Sequence, residues 1–132
     1  MATTYLLFIY LKKPRYINIG NLGTFHFKSG NYFYVGSAKK NLVQRIERHR
    51  RKKKKKFWHI DYLLQYADID EVWVSNISEE KLATILSEKL TIPALGFGST
   101  DKKSKAHLFF SKKNINLTQH SLKSQSFNII CR

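Results

Sequence analysis

The residue types best suited to meeting a phosphate lie close together between Tyr32 and Lys56, in the stretch YFYVGSAKKNLVQRIERHRRKKKKK. Tyr32-Phe33-Tyr34-Val35 is aromatic and β-branched and predicts a strand. Gly36 and Ser37 break it with a turn where backbone can come close to another group. From Asn41, the expected N-cap, helical spacing places Leu42, Val43 and Ile46 on one face. Arg45 and His49, four residues apart, share another face. A guanidinium fork matches two phosphate oxygens, so a strand, a glycine turn and an arginine on the next helix form a device for meeting a phosphate. The helix then enters a basic tract, Arg48, Arg50, Arg51, Lys52, Lys53, Lys54, Lys55 and Lys56, interrupted only by His49. No apolar periodicity interrupts its lysines, so a flexible cationic arm following phosphates is expected rather than a membrane-inserting helix. Such contacts carry no base information.

The whole chain agrees with an anionic partner. Its 24 Lys and Arg against 9 Asp and Glu give a formal charge of +15, clustered rather than spread. This favours nucleic acid over an anionic membrane surface. Hydrophobic residues make up 42% of the chain, which argues against global disorder and leaves enough apolar mass for a core. The single cysteine, Cys131, forms neither an internal disulfide nor a thiolate zinc site. The apolar run Leu6–Leu11 is too short to span a bilayer, and no secretory signal is evident, so a soluble cytoplasmic protein is expected.

Several elements must position these groups. TTYLLFIYL, from Thr3 to Leu11, reads as a central strand covered on both faces. Extended segments follow at Arg15–Gly20 and Thr24–Lys28, so the first third is expected to form an antiparallel meander. Helices are predicted over Asn41–Arg51 and Phe57–Ala67, and a strand over Ile69–Asn76. A third helix opens at Ser78, its N-cap, and runs to about Leu90 with Leu82, Ile85, Leu86 and Leu90 on its apolar face. Pro93 lies just past its end. A polar loop over Gly96–Ala106 leads to a last strand at His107–Ser111, and beyond Lys112 only Phe127–Cys131 has extended character.

Three separated blocks carry a resemblance to a known family. Thr3-Thr4-Tyr5, then Tyr34-Val35-Gly36, then Arg45 on the following helix resemble the GIY-YIG nuclease superfamily. GNLGTFHFKSGNYFYVGSA, FWHIDYLL and GFGSTDKKSKAHLFF further resemble its domain-of-unknown-function 123 branch, a mostly archaeal group sometimes fused to an endonuclease III-type repair enzyme. The likeness spans about residues 3–111. It implies an α+β fold, a small central antiparallel sheet flanked by about three helices, over residues 1–111 with a C-terminal extension over 112–132. It also implies phosphodiester hydrolysis with one divalent metal, Mg2+ or Mn2+, and DNA in repair or recombination as the substrate setting. Tyr5 would act on the attacking water, Tyr34 would hydrogen-bond in the same site, and Arg45 would hold the scissile phosphate. A glutamate on a later helix would bind the metal, and the Glu-x-x-Leu register selects Glu79, with Glu80 next. A repair glycosylase or nuclease is the protein partner suggested by the fusions.

Each residue also has a plainer reading. Tyr5 and Tyr34 suit core-edge strand positions, and His49 suits a phosphate contact or an ordinary surface position equally. Glu79 and Glu80 match the helix dipole without any metal. His59 and Asp61, two apart on one helix, point to different sides, so each could reach the site only separately. Two departures from the family pattern stand out: Thr3 replaces a glycine, and Lys102 and Ser104 replace cysteines. No thiol site remains there, and Lys102, Lys103 and Lys105 instead favour nucleic-acid contact. A fold kept for binding nucleic acid, or for docking to a repair enzyme, without turnover is the alternative to an endonuclease.

Overall fold

The structure, a computed structural model, describes residues 3–99, 104–112 and 128–131. In chain order the elements are β1 (Thr4–Leu11), β2 (Arg15–Asn18), a short 3-10 turn (Gly20–Leu22), β3 (Thr24–Phe27), β4 (Gly30–Ser37), α1 (Leu42–Arg50), α2 (His59–Leu64), β5 (Asp68–Ser75), α3 (Glu79–Ser87), β6 (Leu108–Ser111) and β7 (Asn128–Cys131). Five strands form one antiparallel sheet in the order β6-β4-β1-β5-β7, and β2 and β3 form a separate two-stranded ribbon. The α+β class and the central antiparallel sheet that the resemblance implies are both present.

β1 is central because both of its edges are paired, to β4 on one side and β5 on the other. Side chains alternate across a strand, so near-continuous apolar character means that both faces are covered. Tyr5, Leu7, Ile9 and Leu11 face a core shared with Ile46 of α1, Ile60, Leu63 and Leu64 of α2, and Ile17 and Phe27 of the ribbon. Leu6 faces the opposite core, built with Phe33, Val35, Trp73 and Phe109 against Leu82, Ala83 and Leu86 of α3. The molecule therefore has three layers, with α1, α2 and the ribbon on one face of the sheet and α3 on the other. Burial of each such side chain contributes roughly 1.5–3 kcal/mol.

The expected meander is corrected by the pairing. With β4 and β5 occupying both edges of β1, β2 and β3 have no place in the main sheet and pair only with each other. Only Ile17 and Phe27 of this ribbon are buried, and they pack down onto the α2 face. The second helix is shorter than its Phe57–Ala67 periodicity suggested. The Asp61 carboxylate accepts the Phe57 and Trp58 amides and so sets its start at His59, and beyond Leu64 the Tyr66 and Ala67 amides both turn back to the Leu63 carbonyl. On α1, Val43 is 58% exposed and the inward stripe is Ile46 and His49. Asn41 does precede α1, yet in left-handed geometry (φ 59°) and without a side-chain cap. Ser78 caps α3 as expected, its Oγ accepting the Lys81 amide at 3.1 Å. The region beyond 111 supplies β7, which pairs with β5 at the sheet edge. No helix among the described residues is long and apolar enough to cross a membrane.

A candidate phosphate-binding cleft

Three layers meet at one end of β1 and β4, where a cleft of about 470 Å3 opens. Tyr5, Tyr34, Arg45 and Glu79 all line it, together with Gly36, Ser37, Trp58, His59 and Gly98. The two tyrosines, the guanidinium and one acid thus converge from β1, β4, α1 and α3.

Tyr5 lies across the backbone of its neighbouring strand. It pairs in register with Gly36, and a Cβ there would sit 2.4 Å from the ring Cζ and 2.5 Å from the hydroxyl. Gly36 and Ser37 continue β4 instead of forming the expected turn, and glycine is required at 36 by the phenol. The Tyr5 hydroxyl lies 2.8 Å from Nε2 of His49, which is only 2% exposed. Burial, reinforced by the charge of Lys54, pushes the His49 pKa down to about 3, so its ring is neutral at pH 7. His49 Nδ1 has no hydrogen-bond partner among the described residues. An orphaned N–H is costlier than an orphaned lone pair, so the proton belongs on Nε2, which donates to the Tyr5 oxygen. That tautomer leaves the phenolic proton free to point into the cleft. Burial raises the Tyr5 pKa to about 12 although Arg45 pulls the other way, and Tyr34 is likewise raised by burial. Both phenols are hydrogen-bond donors at neutral pH.

Arg45 Nη1 donates to the Ser37 carbonyl at 3.1 Å, and its guanidinium lies 4.5 Å from the centre of the Trp58 ring. Those contacts fix the fork, and among the described residues no carboxylate pairs with it. Glu79 accepts from Ser37 Oγ at 3.0 Å and lies 3.5 Å from Nδ1 of buried His107. Glu80 is turned away from the cleft: it accepts from Ser104 Oγ and lies 3.3 Å from the other His107 nitrogen. Of the two acids expected to serve a metal, only Glu79 reaches the site.

His59 joins the cleft and Asp61 does not. Gly98, held at φ +74°, donates its backbone N–H to His59 Nδ1 at 2.8 Å. With Nδ1 accepting, the neutral ring carries its proton on Nε2, and burial holds its pKa below the usual imidazole value. Among the described residues the cleft thus sets two phenols, one guanidinium and one imidazole N–H against one carboxylate, which suits an anionic oxygen-rich group. His59 and Trp58 were ambiguous in the sequence. The one available signal was their position directly after the basic tract, on the element that must pack beside Arg45.

Arg48 corrects the expectation of a free cationic run. It grips the fully buried Asp61 through both nitrogens, each at 3.0 Å, and the same carboxylate accepts the Phe57 and Trp58 amides. Burial alone would raise the Asp61 pKa, but the Arg48 and amide hydrogen bonds outweigh it and hold the carboxyl below its ordinary value. Lys54 Nζ donates to the carbonyls of Arg48 and His49, at 2.9 and 2.8 Å, closing the end of α1. Lys52 Nζ does the same for Leu64 and Ala67 after α2, at 2.7 and 2.6 Å. Helix ends leave carbonyls without partners, and these lysines supply them. Arg50 Nη1 reaches the Ile69 carbonyl at 3.4 Å. The tract is a folded-back connection, with Arg51, Lys53, Lys55 and Lys56 exposed along it. Lys105 is also exposed, while Lys102 and Lys103 lie outside the described residues.

The donor set does not suit a preassembled metal cage: among the described residues no group of three or more His, Cys, Asp or Glu could hold an ion. One cleft-facing carboxylate suits a hard cation that completes its shell with water and substrate oxygens.

Fold and site together define a small α+β domain whose cleft offers donors to an anion. The chain belongs to the family described as domain of unknown function DUF123, whose model matches residues 4–128. No curated protein and no solved structure matches it.

Proposed function

We propose that the protein hydrolyses phosphodiester bonds of nucleic acid, as a DNA endonuclease of repair or recombination in the manner of the GIY-YIG nucleases. The observation that supports this most is the meeting of Tyr5, Tyr34, Arg45 and Glu79 in one cleft. Arg45 neutralises the scissile phosphate and strengthens its hold as charge grows in the transition state. Tyr5, backed by the His49 N–H, orients the attacking water in line with the leaving oxygen, and Tyr34 and His59 donate to the remaining oxygens. With a pKa near 12, Tyr5 is a weak proton acceptor on its own. A divalent cation such as Mg2+ or Mn2+, held by Glu79, water and phosphate oxygens, would supply the polarisation that lowers it.

A nicking assay with Mg2+ or Mn2+ on branched, single-stranded and duplex DNA tests the reading. The wild-type protein is expected to cut at least one of them, and Arg45→Ala to lose about a hundredfold to a thousandfold in rate. Cutting that survives Arg45→Ala in pure protein would remove the site. The raised Tyr5 pKa, with a single cleft-facing carboxylate among the described residues, favours a second reading, a module that clamps nucleic acid without cutting. Tight binding with no nicking in either metal would select it.

A further inference from the structure

We infer that the surface running from the cleft mouth to the β2–β3 ribbon is a stacking track for the unpaired bases of a single strand. This rests on the nucleic-acid reading above but not on catalysis. Phe57, at the cleft mouth, is 76% exposed, and Tyr16 on β2 is 73% exposed; they are the two most exposed aromatic rings among the described residues. A scattered surface aromatic is unremarkable by itself. Tyr16 lines a second groove of about 300 Å3 together with Lys56, Tyr62 and Tyr66, among others, while Phe57 lines the cleft. Lys56 of the groove directly precedes Phe57 of the cleft, so the two sites have neighbouring residues in their linings.

The rings are held in place rather than loose. Tyr16 packs on His26 across the ribbon with ring centres 4.8 Å apart, and Phe57 packs edge-on against Trp58 at 5.2 Å. Cations accompany them: the Arg15 guanidinium sits 3.6 Å from the centre of the Tyr66 ring, and Lys56 Nζ lies 5.7 Å from that of Tyr62. Every base has a π-face and every linkage a negative charge, so fixed aromatic rings alternating with cations suit a single strand. A paired base buries that face in its own stack and gains nothing from Tyr16 or Phe57. The occupant is therefore a single-stranded segment, entering the cleft from the ribbon side.

The test is fluorescence anisotropy with a labelled thymidine oligonucleotide and with a duplex of the same length, in EDTA so that cutting plays no part. Tyr16→Ala and Phe57→Ala should each weaken single-strand binding about tenfold, with little change for duplex, while Tyr16→Trp and Phe57→Trp should retain it. Both side chains are largely exposed, so the variants should fold, which their melting curves verify. Unchanged single-strand affinity in both alanine variants overturns the track, as does an equal loss on duplex. A protein that stacks single strands yet never nicks would refute the nuclease proposal and leave the track standing. One that nicks with Tyr16 and Phe57 dispensable for binding would do the reverse.

Discussion

Arg45 and Arg48 stand one turn apart on α1 and do opposite work. Arg48 is closed into a pair with buried Asp61, which also gathers the Phe57 and Trp58 amides. Arg45 is steadied by a carbonyl and an aromatic face, and its charge faces the cleft beside Tyr5 and Glu79. Arg48 docks α2 against α1, and that docking brings Trp58 and His59 to Arg45. Of these two arginines, the one claimed by a buried acid is structural, while the other keeps its charge toward the cleft.

The largest effect on stability should come from breaking the closed pair. Asp61→Ala leaves Arg48 and two amides without their acceptor and should cost about 3–5 kcal/mol in a denaturant titration. Arg45→Ala abandons no buried acid and should cost well under 1 kcal/mol by the same measurement. Equal losses would erase the distinction between the two arginines.

A smaller effect should appear with pH. His49 has a pKa of about 3 in the folded protein against an ordinary 6.5, so between those values the unfolded chain binds the extra proton. Its stabilising share is therefore complete above about pH 6.5 and declines as pH falls toward 3. Asp61, with its carboxyl also held low, loses its share only below its ordinary 3.8. Stability measured between pH 7 and 4 should fall less steeply in His49→Gln than in wild type, with His59→Gln measured alongside to separate the second lowered histidine. Parallel slopes in wild type and His49→Gln would show that His49 is not held neutral.

The smallest effect sharpens the comparison inside the basic tract. Lys53→Ala with Lys55→Ala should weaken DNA binding and reduce its log-log salt slope by about 1–2, with little change in melting. Lys52→Ala with Lys54→Ala should lower melting, because these two supply donors to helix-end carbonyls. The tract would be a uniform arm after all if both pairs behaved alike.

Much of the scaffold was legible in local pattern. Continuous apolar character marked β1 as central, and Ser78 ahead of Leu82 and Leu86 marked the start and inner face of α3. The ribbon misled because pairing between neighbours in sequence is the default, whereas the edges of β1 are filled by β4 and β5. For the site, Tyr5, Tyr34 and Arg45 were visible as motif residues, and Glu79 as one of two candidates. Choosing between Glu79 and Glu80 depends on His107, which lies 3.5 Å from one and 3.3 Å from the other and arrives from far along the chain. That His59 and Asp61 point to different sides followed from their spacing on α2, but that Asp61 is the one claimed by Arg48 did not. Long-range pairing of charges is what the linear pattern withheld.

The most direct test of the central claim is the single-turnover nicking rate of Glu79→Gln beside wild type, at saturating protein with Mn2+. The amide can still accept from Ser37 while the charge in the cleft is lost. A fall of about a hundredfold or more is the predicted result. A rate equal to wild type would contradict the account, since the acid would then take no part in the chemistry at this cleft.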